Sequence, residues 1–252
     1  MTAFWAALRF LTVLPAPGRR PLQAPALGRA VGYFPLVGVI LGGLLAAANA
    51  AVTGVIAPDV RAVLVVGLGL ALTGGLHFDG WLDTCDGLFG GHTPEERLRI
   101  MRDEHVGAFA VAGGGLLLLA KCAAVSNLVH PAATLVLASV LARWAVAVAI
   151  VALPYARTAG LGRAMKDHAG PREVGLATLF TVLVLVGVGM GLPAGREAVI
   201  RALVGALPAA AAVLYWARKR LPGLTGDVYG ALVEAVETAV LLAGTSRWVG
   251  PL

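Results

Sequence analysis

Three carboxylates, Asp79, Asp83 and Asp86, fall within eight residues of a chain that has only 14 acids in 252 residues. On a helix they occupy positions i, i+4 and i+7, which at about 100° per residue keeps them within roughly 60° of one another. Like charges this close repel. A divalent cation removes the repulsion, and all-oxygen donors suit Mg²⁺ or Mn²⁺ better than zinc. Gly80, Gly87, Gly90 and Gly91 clear side chains from the flanks, so a phosphate can approach. The competing readings are a solvated acidic loop and acids paired with the arginines downstream.

Those arginines supply the complementary half. Arg97, Arg99 and Arg102 follow the acids, together with Asp103. A cation on one side of a phosphate and guanidinium donors on the other make a phosphoryl-transfer site. Each arginine also fits a role as topology determinant or headgroup contact. His105, at the start of the next apolar run, could touch a phosphate, whereas His77 reads as structural and His92 as a surface residue. A second acidic set, Asp227, Glu234 and Glu237, lies inside an apolar segment, where acids are costly and point to function. It could complete a metal site, bind a polar substrate, pair with Arg143 or form an ion pathway.

The remainder of the chain must position these groups, and its composition names the solvent. Hydrophobic residues make up 58% and charged residues 13%, and the mean hydropathy is +0.83. A soluble domain needs roughly twice that charge, so a lipid bilayer is the expected surrounding. The net charge of +6 is distributed between apolar runs. No basic patch interleaved with aromatics is present, which argues against nucleic acid as a partner. Cys85 and Cys122 lack metal-ligand spacing, and Cys85 is expected as a free thiol against a neighbouring helix.

The pattern predicts an all-α, polytopic integral membrane bundle with about seven transmembrane helices and short interfacial helices. Residues 1–252 form one transmembrane domain, and 79–105 is its catalytic segment. The expected spans are 31–56, 61–76, 107–125, 132–153, 173–190, 199–216 and 227–242, the sixth interrupted by Pro208. Gly38, Gly42, Gly43, Ala46 and Ala50 recur at helix-contact spacing. Residues 1–14 resemble an interfacial helix stopped by Pro15 and Pro17. Thr93, Pro94 and Glu96 predict a capped amphipathic helix. Lys121 is expected to snorkel to headgroups, and Arg143 to face the interior. Connections holding Arg19, Arg20, Arg29, Arg97, Arg99, Arg102, Arg157, Arg163, Lys166, Arg172 and residues 218–220 then share one side. The positive-inside rule makes that side, and the acid cluster with it, cytoplasmic at a prokaryotic inner membrane.

These blocks resemble a known family. GGLHFDGWLDTCDGLFGG and ERLRIMRDEHVGAFA are similar to the signature blocks of the cobalamin synthases, the adenosylcobinamide-GDP ribazoletransferases. FWAALRFLTVLPAP, GRAVGYFPLVGVILG, ARWAVAVAIVALPYAR and GDVYGALVEAVE extend the likeness over nearly the whole chain. The resemblance implies a Mg²⁺ enzyme. A hydroxyl of α-ribazole, or of its 5′-phosphate, attacks the cobinamide-side phosphorus of adenosylcobinamide-GDP, and GMP leaves. It implies that Asp79, Asp83 and Asp86 form the metal and pyrophosphate site, with Arg99, Arg102 and Asp103 in the second block and Asp227 in the late one. Glu104 and His105 depart from the family's usual Ser-Arg pair, and Arg99 replaces an expected acid. A homo-oligomer is compatible with the chain, which does not specify one. The alternatives are a CDP-alcohol phosphatidyltransferase-like enzyme, whose DGxxAR core is absent here, and an ion-coupled transporter, whose charges would lie at mid-membrane rather than outside the spans.

Overall fold

The structure is a computed structural model and describes residues 2–17 and 22–246. Arg19 and Arg20 lie outside the described residues. Among the described residues twelve α-helices follow one another: α1 (Ala3–Leu11), α2 (Ala24–Ala30), α3 (Phe34–Val52), α4 (Pro58–Thr73), α5 (Leu76–Gly90), α6 (Pro94–Ile100), α7 (Ala108–Ser126), α8 (Pro131–Ala152), α9 (Leu161–His168), α10 (Pro171–Gly191), α11 (Gly195–Arg220) and α12 (Gly226–Ala243). A 3₁₀ turn, Val31–Tyr33, joins α2 to α3.

This is a polytopic membrane helix bundle. Among the described residues, five segments are long and apolar enough to cross a membrane: Ala24–Val52, α7, α8, α10 and α11. A sixth results if α4 and α5 count as one broken span, and these two are bent by 94°. The bend has a local cause. Gly74 and Gly75 both adopt left-handed backbone angles, φ +60° and +72°, which side-chain-bearing residues resist. The expected span at 227–242 is a helix, but its 18 residues carry three acids. It lies in the interior, with Val228, Leu232, Val236 and Val240 fully buried. Its neighbours are α5, α7, α8 and α11. By contrast α10 exposes Leu179, Leu183 and Val186, the surface expected of a helix facing lipid.

Small residues set the closest approaches. A methyl group on Gly38 would stand 2.6 Å from the Ser139 carbonyl oxygen, and one on Gly42 2.6 Å from Val136 Cα. These glycines bring α3 onto α8 at four-residue spacing. Gly43, one position round the helix, faces open space. Pro208 lies inside α11 without ending it.

The charges inside the bundle differ from expectation at one point. Lys121 does not reach outward: its Nζ donates to Glu234 at 2.5 Å and to Glu237 at 2.9 Å, and its side chain is 8% exposed. The register of α7 turns it towards α12, where two carboxylates offset the cost of burying an ammonium. Arg143 faces inward as expected and pairs with Glu237.

Candidate active site

Helix α5 presents its acids on one face but in three environments. Asp79 is exposed, Asp83 half-buried and Asp86 buried. Asp86 is engaged by the backbone. Its two carboxylate oxygens accept from Gly107 N at 2.7 Å and Ala110 N at 2.8 Å. Those amides belong to the first turn of α7, so Asp86 satisfies donors that the helix leaves unpaired. Gly107 is needed there, because a methyl group would come within 2.7 Å of the Asp86 carboxylate. Cys85, a free thiol, packs beside it against Gly113 of α7.

Asp79 and Asp83 accept no hydrogen bond or ion pair among the described residues. Asp83 instead stands within electrostatic reach of Asp227, Asp79, Arg157 and Asp86. Asp227 comes from the first turn of α12. It is held by Arg157, Nη2 to Oδ2 2.5 Å, and by the Thr225 hydroxyl, which donates at 3.2 Å. Thr225 also caps α12 by accepting from Val228 N. Arg157 is fixed in turn by its loop. Leu224 N donates to Pro154 O and Ala156 N to Leu224 O, each at 2.8 Å, so the chain before α9 pairs with the chain before α12. A second donation from Arg157 reaches Met101 O at 3.3 Å.

Two cavities meet at these acids. An outer mouth of about 280 Å³ is bordered by Asp79, Asp83, Asp86, Arg102, Asp103 and His105. An inner chamber of about 270 Å³ lies between α5, α12 and the loop before α9, with Asp79, Asp227 and Arg157 on its wall. Asp79 borders both.

The second sequence block divides. Thr93 caps α6 as expected, its hydroxyl accepting from Glu96 N at 3.2 Å while Glu96 Oε2 accepts from His92 N at 2.8 Å. Arg97 turns inward, donating to Gly91 O at 3.0 Å and Arg220 O at 3.3 Å. It joins α6 to the end of α11 and does not border the mouth. Arg99 is exposed and likewise outside it. Arg102 does border the mouth. His105 Nδ1 lies 2.6 Å from Asp103 Oδ1, and this contact holds the Asp103 carboxyl below the usual carboxylate range. The fold therefore gathers Asp79, Asp83, Asp86, Arg102, Asp103 and His105, adds Asp227, and leaves out Arg97 and Arg99.

Arg157, Tyr155 and Tyr229 line the inner chamber, and sequence spacing gives none of them a site role. Arg157 reads as one basic loop residue among many, and its partner Asp227 lies 70 positions away. Among the described residues, no three His, Cys, Asp or Glu side chains are grouped so as to hold a metal by themselves.

A family model described as cobalamin-5-phosphate synthase matches residues 3–245. The chain belongs to that family. Curated relatives agree over most of their length. A protein of Roseiflexus sp. (strain RS-1) named adenosylcobinamide-GDP ribazoletransferase is 37% identical over 239 residues, 93% of this chain and 86% of the relative. A Deinococcus radiodurans protein of the same name is 42% identical, over 93% of this chain and 82% of its own. One from Pseudomonas syringae pv. syringae is 40% identical, over 96% and 98%. No solved structure matches the chain. Family membership thus covers the acids of α5, the loop carrying Arg157 and the start of α12 alike.

Proposed function

We propose that this protein is an adenosylcobinamide-GDP ribazoletransferase of the cytoplasmic face of the prokaryotic inner membrane. It moves the adenosylcobinamide phosphate group from its GDP-activated form to a hydroxyl of α-ribazole or α-ribazole 5′-phosphate and releases GMP. The observation that carries the reading is the meeting of Asp79, Asp83 and Asp227 with Arg157 and Arg102 around two cavities that share Asp79 as a lining residue, in a chain of this family.

The donor set fits Mg²⁺. Asp79 and Asp83 offer carboxylate oxygens that the protein leaves without partners, and Asp227 adjoins them. Mg²⁺ is commonly held by one or two carboxylates together with substrate phosphates, so no complete protein cage is required. Asp83 and Asp227 would hold the cation, which when bound offsets negative charge on the pyrophosphate.

The chain's own groups account for the remaining steps. Arg157 and the Thr225 hydroxyl fix the Asp227 carboxylate on the wall of the inner chamber. Arg102 donates to the phosphate of the departing GMP as its charge grows. Asp79, bordering both cavities, takes the proton of the attacking hydroxyl. One phosphorus–oxygen bond forms to the acceptor as the bond to GMP breaks. Orientation rests on the basic connections: the mouth lies among residues 79–105, and the loops at 154–172 and 217–227 pack beside it. Together these connections carry half of the chain's lysines and arginines, which favours the cytoplasmic side.

The test is reconstitution. Purified protein receives adenosylcobinamide-GDP, α-ribazole and Mg²⁺, and cobalamin and GMP should appear in equal amounts. Absence of product with the wild-type protein, or undiminished product with Asp83→Asn, sinks the reading.

A further inference from the structure

The inner chamber has walls unlike the acidic mouth beside it. Tyr155 and Tyr229 stack with ring centroids 5.9 Å apart and 28° between planes. Phe10 and Phe34, which also line it, stack at 6.1 Å and 13°. The position of Tyr155 is tightly set: a methyl group on Gly162 would stand 2.3 Å from its phenolic oxygen. His77, Arg143 and Tyr229 also line the chamber, and each has a buried polar atom with no partner among the described residues, namely His77 Nε2, Arg143 Nε and Tyr229 Oη. Buried polar atoms are nearly always bonded. Three such atoms on residues that line one cavity point to a partner that a bound ligand supplies. The chamber is of the order a bicyclic nucleoside fills and is several times too small for a corrin macrocycle with its side chains.

We infer that this chamber seats the acceptor, and that it recognises a flat bicyclic aromatic base joined to ribose. The inference rests on the transferase reading above. The rings of Tyr155 and Tyr229 pack on the base, whose free ring nitrogen accepts from the Tyr229 hydroxyl. His77 meets a ribose hydroxyl. The acceptor's attacking oxygen then lies towards Asp79, the acid shared with the outer mouth. The donor stays outside with its pyrophosphate across that mouth. Two substrates that differ greatly in size thus reach one carboxylate from opposite sides, and the chamber's volume keeps the larger one out of the acceptor's place.

Equilibrium dialysis of α-ribazole, and separately of α-ribazole 5′-phosphate, against detergent-solubilised protein without donor tests this directly. The wild-type protein should bind both. Tyr229→Phe keeps the ring and removes one hydrogen bond, and should weaken both by about tenfold. Val146→Phe fills the chamber and should abolish binding of both. In turnover, Tyr229→Phe should raise KM for the acceptor and leave KM for adenosylcobinamide-GDP unchanged. Acceptor binding as tight in both variants as in wild type, a parallel rise of both KM values, or weakening confined to the phosphorylated acceptor overturns the assignment. A wild-type protein that binds the acceptor yet makes no cobalamin overturns the transferase reading and leaves the chamber's ligand standing.

Discussion

Gly80 of α5 rests on Gly230 of α12 with no room for a side chain between them. A methyl group at Gly80 would come within 3.1 Å of Gly230 Cα and 2.7 Å of the Asp227 carbonyl oxygen. Gly80 is the residue after Asp79, so this contact sets the separation of the α5 acids from Asp227. Gly80→Ala should push the helices apart. Overpacking of this kind costs about 1–3 kcal/mol, and a displacement of reacting groups by about 1 Å costs up to about 100-fold in rate. Turnover should therefore fall far more than the unfolding temperature in detergent. Full activity in Gly80→Ala would show that the acid spacing is not critical.

Arg157 and Asp227 should behave as a unit. Each side chain is less than one-fifth exposed, so removing one leaves a poorly solvated charge. Arg157→Ala should lower turnover by about 100-fold. The double variant Arg157→Ala, Asp227→Asn should lose little more than either single variant. Additive losses in that cycle would mean the two act separately.

Asp79→Asn should reduce kcat by about 10²- to 10⁴-fold, the range for loss of a positioned proton acceptor, with KM for both substrates little changed. A rise in KM without a fall in kcat would place Asp79 in binding alone.

Chelation should abolish activity, and added Mg²⁺ should restore it. Because no group of three ligating side chains stands ready among the described residues, Mg²⁺ should bind weakly until the pyrophosphate substrate is present. Calorimetric titration of Mg²⁺ with and without adenosylcobinamide-GDP measures this. Tight binding to the protein alone would contradict the shared coordination.

Lys121→Met should destabilise the bundle by about 3–5 kcal/mol, because Glu234 loses its ion-pair partner and Glu237 retains only Arg143. Adding Glu234→Gln should recover part of that loss. Thermal unfolding in detergent reports both changes, and an unaltered midpoint in Lys121→Met would mean the network contributes nothing.

Features governed by local rules were legible in the chain. The cap at Thr93, the α3 contact through Gly38 and Gly42, and the shared face of the α5 acids each depend on spacing within a few residues. Features that depend on two distant segments were not. Lys121 near a helix end reads equally as a headgroup ligand or a buried cation, and only the position of α12 decides. Arg157 gains its role from a loop pairing with residues before α12. Arg97 and Arg99 lie two apart on α6, so one points into the protein while the other faces out, and neither borders the mouth.

The bond from Asp86 to the start of α7 bears on how genetic evidence about this motif is to be weighed. Asp86 works as a latch, since it fastens the loop that carries Arg102 and Asp103 to the helix that carries Asp79 and Asp83. Inactivity after Asp86→Ala would not identify a metal ligand, because an unfastened loop silences the reaction equally well. The two causes differ in their remedy: raised Mg²⁺ compensates for a weakened ligand, and no ionic condition refastens a latch.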